Sequence, residues 1–300
     1  MKKNRKILLA GGCSFTEHTR VSCYDSSLIT DFPRWPEVLA EKLDMECVNL
    51  GRWGCSNQLI STNIYEYLIE NPKKEIGLVC CLWTEYTRTS IYNMPEWPSA
   101  IGQSLHSGFN QALAKSIQVS IDEFKERGYT PWQEDAKESL MFKGPDKFLD
   151  LLYYYAKGTN TKSKTIVENI IKNNIKIFHD LECMLSLRNI PYLYLQGMFP
   201  FWDRDHLKKD RGLEKIYAPS HEQILFYLLK YEKYFNKEKF IGWPGLHASR
   251  WTIPSDRLFF GKKESDDCWI SEIDQHPNEK GHQIIANHYY KKTEKLYSHL

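Results

Sequence analysis

Short apolar runs and amphipathic stretches alternate along the first third of the chain. The run Ile76–Trp83 (IGLVCCLW) contains no charged residue, which is typical of a strand buried on both faces of a parallel sheet. Before it, residues 35–43 and 57–69 have the apolar spacing of helices. An alternation of strand, helix, strand, helix and strand predicts a layered α/β domain.

The same reading extends over the rest of the chain. The predicted strands cover residues 6–10, 46–50, 76–83, 191–196 and 240–243. The predicted helices cover residues 35–43, 57–69, 166–187, 223–235 and 278–296. Residues 92–158 are rich in Pro, Gly and aromatic side chains, and the alternation resumes after them, so we interpret them as an insertion. We expect one domain over residues 1–300, a three-layer α/β/α sandwich with a central parallel sheet of about five strands.

The start of the chain has two interpretations. Residues 1–6 are basic, residues 7–10 are apolar and Gly11-Gly12-Cys13 follows, as at the end of a lipoprotein signal. Four apolar residues are fewer than the about 7–15 of a secretory signal. We therefore interpret them as the first buried strand and expect Cys13 to carry no lipid.

Composition excludes several classes of protein. Lys and Arg total 40 and Asp and Glu total 38, a net charge of +2, which gives no electrostatic reason to expect a nucleic-acid partner. No apolar run approaches the roughly 18 residues of a membrane span, so no membrane partner is expected. The eight cysteines form no CxxC pair, unlike a disulfide scaffold or a zinc site. A cytoplasmic location is expected, with virion association if the chain comes from a phage.

The first candidate catalytic segment is residues 11–16 (GGCSFT), directly after the first predicted strand. A serine on a tight turn after a strand exposes its hydroxyl, and the backbone N–H groups of such a turn can stabilise an oxyanion. Ser14 is therefore a candidate nucleophile. The alternative is that Ser14 caps a helix.

The second segment is residues 49–57 (NLGRWGCSN), after the second predicted strand. Gly51 and Gly54 permit close backbone approach, and the N–H of Gly54 could stabilise an oxyanion. Ser56 or Asn57 could instead cap the next helix.

The third segment is residues 272–282 (EIDQHPNEKGH), before the last predicted helix. Pro277 restrains the backbone after His276, and Asp274 lies two residues earlier. This pattern suits a general base with an orienting carboxylate, although a loop histidine beside a surface carboxylate has the same sequence. His276, His282 and His288 are spaced by six, which does not align side chains on one helix face, so no metal is expected.

Together the three segments resemble the SGNH (GDSL-like) hydrolase family. Gly12-Cys13-Ser14 is similar to the family's block with the nucleophilic serine, residues 49–54 to the block with the oxyanion glycine, and DxHPN at 274–278 to the block with the histidine. The resemblance covers most of the chain. It implies an SGNH/flavodoxin-like fold, with Ser14, His276 and Asp274 catalytic and with Ser14 and Gly54 as oxyanion donors.

The sequence departs from the family in two places. After the third strand the family has an asparagine that donates to the oxyanion, whereas this chain reads LWTEYTR at 82–88. Thr84 is the expected substitute donor, and Arg88 and Asn57 are the expected substrate contacts. In addition, the aspartate precedes the histidine by two residues instead of three.

The resemblance implies a serine hydrolase that cleaves an ester, such as an O-acetyl group on a small molecule or a glycan, without a cofactor. The alternative is a catalytically weak or inactive SGNH-like module with a glycan-binding or structural role. The missing asparagine supports this alternative, because losing one oxyanion donor typically lowers the rate by about 10²–10³.

Overall fold

The computed structural model describes residues 5–18, 22, 27–28, 30–86, 163–197, 221–244, 268–271, 274 and 276–298. The predicted insertion at 92–158 and the predicted substrate contact Arg88 lie outside the described residues. The single-domain organisation with its insertion therefore stays a prediction.

Five parallel strands form the central sheet, in the order β2-β1-β3-β4-β5. They are β1 (Ile7–Gly12), β2 (Glu46–Asn49), β3 (Ile76–Trp83), β4 (Tyr192–Gln196) and β5 (Phe240–Ile241). This is the flavodoxin-like strand order, in which the direction of travel reverses after β2. The order confirms the predicted fold class.

Helices cover both faces of the sheet. They are α1 (Trp35–Lys42), α2 (Asn57–Glu70), α3 (Ser163–Leu187), α4 (His221–Tyr231) and α5 (Glu279–Leu296). Helix α1 packs against α5, and α2 packs against α3, as right-handed crossovers in opposite directions require. In the described ranges, no helix is both long and apolar enough to cross a membrane.

Two predicted elements are shorter than expected. Helix α4 ends at Tyr231, and a 3₁₀ turn, Glu232–Tyr234, follows it. Strand β5 has only two residues, because Gly242 at φ 67° leaves the extended conformation.

The start of the chain is a core strand. All six residues of β1 are buried, and β1 lies between β2 and β3, which confirms the first-strand interpretation. Cys13 follows β1 and is also fully buried. The absence of a lipid on Cys13 stays a prediction.

Aromatic contacts fix α1 and α5 beside the end of β1. The Trp35 ring stacks on Tyr289 with centroids 4.7 Å apart, and the Tyr289 hydroxyl donates to the carbonyl of Cys81 in β3 at 2.7 Å. Trp35 Nε1 donates to Thr16 Oγ1 at 3.1 Å. Helix α1 thus holds the turn after β1 directly, and α5 supports α1 through the stacked rings. This turn lies at the carboxyl edge of the sheet, where α/β folds bind ligands.

Candidate active site

Ser14 lies on a tight turn directly after β1. The N–H groups of Thr16 and Glu17 both donate to the carbonyl of Cys13, at 2.9 and 3.1 Å. The Ser14 side chain is half-buried, and within the described residues its hydroxyl has one polar contact, to Cys13 Sγ at 4.0 Å. The next helix in the described chain, α1, begins at Trp35 with Arg34 as its N-cap, so the structure does not support the helix-cap interpretation of Ser14.

The loop after β2 is clamped onto this turn. Asn49 Nδ2 donates to the carbonyl of Thr16 at 2.7 Å, and Asn49 Oδ1 accepts from the N–H of Gly51 at 2.9 Å. A Cβ on Gly51 would lie 2.7 Å from the backbone of Thr16 and Glu17. Only glycine can lie this close to the backbone of the turn. Asn49 and Gly51 thereby hold the loop after β2 against the turn after β1.

Two of the predicted oxyanion donors, Ser14 and Gly54, have backbone N–H groups without a hydrogen-bond partner among the described residues. Gly54 has φ 72°, a conformation that glycine adopts readily. Within the described residues, neither the N–H of Ser14 nor that of Gly54 makes a hydrogen bond. Both groups can therefore donate to a ligand. Gly54, unlike Ser14 and the neighbouring Trp53, is not among the described residues that line the cavity, so the assignment of Ser14 and Gly54 as an oxyanion pair stays a prediction.

His276 is held in a short turn before α5. The N–H of Ile270 donates to the carbonyl of His276 at 3.0 Å, and the N–H of Asn278 donates to that of Cys268 at 2.9 Å. Asn278 also caps α5, since its side chain accepts from the N–H of Gly281 at 3.1 Å. The sequence Pro277-Asn278 thus fixes the backbone on which His276 sits.

The structure brings His276 and Asp274 into direct contact. His276 Nδ1 lies 2.5 Å from Asp274 Oδ1, and the His276 N–H donates to the same oxygen at 3.2 Å. The second carboxylate oxygen accepts a hydrogen bond from the hydroxyl of Ser22. Asp274 is only 1% exposed. An aspartate two residues before the histidine therefore contacts the imidazole directly, although the resemblance implied a spacing of three.

This environment keeps Asp274 ionised. Burial by itself raises the pKa of Asp274, but the hydrogen bonds from His276 and Ser22 outweigh burial and hold the pKa below its usual value. An ionised Asp274 orients the imidazole and fixes the proton on Nδ1, which leaves Nε2 as the basic nitrogen.

Ser14, Asp274 and His276 line one cavity of about 220 Å³. Phe15, the residue after Ser14, connects the turn after β1 to the segment of His276. Its ring contacts the His276 imidazole edge-on, with centroids 5.5 Å apart. The cavity therefore contains a candidate nucleophile, a candidate base and a carboxylate that orients the base.

Most of the other lining residues carry polar or charged groups, although the surface that the lining turns to the cavity is mainly apolar. Among the described lining residues, the apolar members are Trp53, Ile270 and Pro277, and the others include Glu17, Ser22, Thr30, Arg34 and His282. Sequence reasoning assigned none of these five a place in the catalytic cavity. Ser22 touches Asp274 across 252 positions of sequence, and no local pattern indicates such a contact.

Arg34 introduces a buried positive charge. It is 3% exposed, and its Nη2 donates to the carbonyl and the hydroxyl of Thr30, both at 3.1 Å. Burial lowers the pKa of Arg34, and the carboxylates of Glu37, Glu17, Asp274 and Asp31 raise it. Arg34 thus balances part of the negative charge around the cavity.

Two predicted site residues lie in the core instead. Asn57 is 1% exposed. Its amide oxygen accepts from the N–H of Thr84 at 2.7 Å, and its amide nitrogen donates to Thr84 O at 3.1 Å and to Asn174 Oδ1 at 2.7 Å. Because both amide protons are used, the structure does not support the predicted substrate contact of Asn57. Ser56, in contrast, is the N-cap of α2, since its hydroxyl accepts from Leu59 N.

Thr84 follows β3 and is completely buried. Its carbonyl accepts from Gln196 Nε2 at 2.8 Å in addition to Asn57. Thr84 is not among the described residues that line the cavity. The structure therefore does not bring it to Ser14 as the predicted third oxyanion donor.

Comparisons with known proteins agree with this architecture only loosely. No family model matches the chain, and no curated protein matches it. Among solved structures, the chain is similar to a protein described as lipolytic and of the G-D-S-L family from Desulfitobacterium hafniense DCB-2, with 12% identity, a TM-score of 0.36 and coverage of 96% of this chain and 99% of that chain.

Two further solved structures are similar to the chain at equally low identity. A lipase, Lip_vut3, from a goat rumen metagenome has 10% identity and a TM-score of 0.40, and covers 96% of this chain and 97% of its own. A carbohydrate acetylesterase family member from Sinorhizobium meliloti has 11% identity and a TM-score of 0.35, with coverage of 98% and 99%. Superpositions this loose assign neither family nor activity. The fold, a flavodoxin-like parallel sheet with helices on both faces, rests on the strand order and the parallel pairing of the strands.

Proposed function

We propose that this chain is a serine esterase that removes small acyl groups, such as acetyl, from a polar alcohol such as a sugar. The observation that carries the proposal is the shared cavity of Ser14 and His276, with the His276 imidazole hydrogen-bonded to the buried Asp274. This combination provides a nucleophile, a base and an orienting carboxylate.

In the proposed reaction, Ser14 Oγ attacks the ester carbonyl carbon while its proton passes to His276 Nε2. The carbonyl oxygen becomes an oxyanion, to which the N–H groups of Ser14 and Gly54 donate. Collapse of the intermediate breaks the bond to the alcohol oxygen, which takes the proton from His276. Water then attacks the acyl-serine by the same route, and the acid and Ser14 are released.

The cavity favours a small acyl group over a fatty one. Its volume of about 220 Å³ is below the roughly 300–1,000 Å³ of sites for drug-sized ligands. The surface that the lining turns to the cavity is more apolar than polar, which suits the methyl group of an acetyl ester. The charged side chains of Glu17 and Arg34 at the same cavity disfavour a long acyl chain. The half-buried Trp53 beside Gly54 provides an aromatic surface for a sugar ring.

Hydrolysis of p-nitrophenyl acetate tests the proposal. Ser14→Ala and His276→Ala should each lower kcat by at least about 10³. Ser61→Ala is the matched control, since Ser61 is buried in α2 and is not among the described lining residues, and it should retain activity. If Ser14→Ala turns over the ester as fast as the parent, Ser14 is not the nucleophile.

A second candidate is a weak or inactive module that binds glycan esters. The position of Thr84 favours it, because the third oxyanion donor expected after β3 is not supplied by that residue. This candidate predicts that an acetylated sugar binds and that neither the parent nor Ser14→Ala hydrolyses it.

A further inference from the structure

His282 is a buried histidine that the proposed reaction does not use. It lies in the first turn of α5, is 2% exposed, and lines the same cavity as Ser14 and His276. Buried polar groups are normally hydrogen-bonded, so both ring nitrogens of His282 need partners.

One nitrogen has a fixed partner. The backbone N–H of Trp35 at the start of α1 donates to His282 Nδ1 at 3.3 Å, so Nδ1 is an acceptor and the ring proton is on Nε2. The ring is neutral, because burial, and then the charge of Arg34, hold the pKa of His282 well below its usual value.

The other nitrogen has no hydrogen-bond partner in the part of the chain that the structure describes. Within the described residues, no group accepts a hydrogen bond from His282 Nε2. Phe32 covers another side of the ring, with centroids 5.8 Å apart. Because His282 lines the cavity, a ligand bound there can supply the acceptor that the Nε2–H group lacks among the described residues.

We infer that His282 is a substrate-binding residue whose Nε2–H donates to an uncharged oxygen of the bound ester, a hydroxyl, ether or second ester oxygen of its alcohol part. This inference rests on the proposed function for the position of the ester. The acceptor is uncharged because the cavity holds the carboxylates of Glu17 and Asp274 against one guanidinium, Arg34. An anionic substrate group would add to this negative charge at close range.

Two substitutions separate binding from a structural role. In His282→Asn the amide oxygen takes the place of Nδ1, so the acceptor for the Trp35 N–H is kept and the Nε2 donor is lost. In His282→Gln the amide nitrogen takes the place of Nε2, so the donor is kept and the Nδ1 acceptor is lost. Each variant retains one half of the imidazole.

The experiment measures the Kd of methyl 2,3,4-tri-O-acetyl-xylopyranoside by calorimetry, with Ser14→Ala as the background so that no turnover occurs. Adding His282→Asn should weaken binding about three- to tenfold, and adding His282→Gln should change it less than twofold. The melting temperature of each variant reports separately on the hydrogen bond from the Trp35 N–H to residue 282.

Three results would overturn the inference: equal binding by the Asn variant and the background, weaker binding by Gln than by Asn, or no binding by the background at millimolar xyloside. Turnover by the parent enzyme tests the proposed function independently. If the parent is inactive but binding depends on His282 in the expected way, the esterase proposal fails and the binding role of His282 stands.

Discussion

The hydroxyl of Ser22 should set the pH at which the His276–Asp274 pair becomes active. Ser22 is buried, its N–H donates to the carbonyl of Leu28 at 3.1 Å, and its hydroxyl donates to Asp274 Oδ2. Ser22→Ala removes one oxygen atom and leaves that carboxylate oxygen without this donor. The change tests whether the contact acts on the chemistry or only on packing.

The direction of the expected pH shift follows from the charge of the His276–Asp274 pair. The hydrogen bond from Ser22 is strongest when Asp274 is ionised and His276 is neutral, because no imidazolium then balances the carboxylate. Losing it destabilises this active state most, so the pair holds its proton more tightly and its apparent pKa rises. A hydrogen bond to a charged group contributes about 1.5–3 kcal/mol, and one pKa unit is about 1.4 kcal/mol. Since part of the bond persists in the protonated pair, we expect a rise of about one unit.

The assay is the pH profile of kcat/KM for p-nitrophenyl acetate, whose acid limb reports the protonation of the free enzyme. In Ser22→Ala this limb should move to higher pH by about one unit, and Ser22→Thr, which keeps the hydroxyl, should restore it. Superimposable profiles for the parent and Ser22→Ala would refute the reasoning. An equal shift in Ser22→Thr would assign the effect to packing.

Three further predictions follow from the same geometry. Asp274→Asn should lower kcat about 10³–10⁴-fold with little change in melting temperature, and a retained kcat would remove Asp274 from the proposed mechanism. Gly51→Ala should lower the free energy of unfolding in urea by about 1–3 kcal/mol, because its Cβ meets backbone at 2.7 Å. Gly77→Ala is its matched control, since the Cβ there meets mainly side-chain atoms, and an equal loss in both would contradict the close-approach argument. Because the pKa of His282 is lowered in the folded protein, the unfolded chain binds more protons at that position. The free energy of unfolding should therefore fall as pH drops below about 6.5, by up to about 1.4 kcal/mol per pH unit. This slope should be smaller in His282→Asn, and an unchanged slope would assign the loss to other groups.

The elements that the sequence predicts best are those with a strong local pattern. Strand β3 has the predicted bounds, Ile76–Trp83, and α2 differs by one residue at its end. An unbroken apolar run can be satisfied only by burial on both faces. Strand β5 is shorter than predicted because the turn at Gly242 depends on backbone conformation, which apolar spacing does not report.

The residues of the candidate site also differ in how well a local pattern predicts them. Ser14, Asp274 and His276 stand in short motifs next to a strand or a helix, and the structure places all three on one cavity. Ser22 could not be predicted, because its contact with Asp274 is set by the tertiary fold.

Asn57 shows the opposite error. The sequence predicts that Asn57 contacts substrate or caps α2, but its side chain pairs with Thr84 and with Asn174 of α3, which is 117 positions away. Polar groups that satisfy the core and polar groups that bind substrate have the same composition, and only burial and partners separate them.

The central claim is that Ser14 is a nucleophile activated by His276. The most direct measurement is to treat the protein with a fluorophosphonate, which phosphonylates activated serines, and to locate the adduct by peptide mass spectrometry. The account predicts one adduct on Ser14, absent from Ser14→Ala and formed at least about 10²-fold more slowly in His276→Ala. An unlabelled Ser14 in folded protein, or equal labelling rates in the parent and His276→Ala, would contradict it.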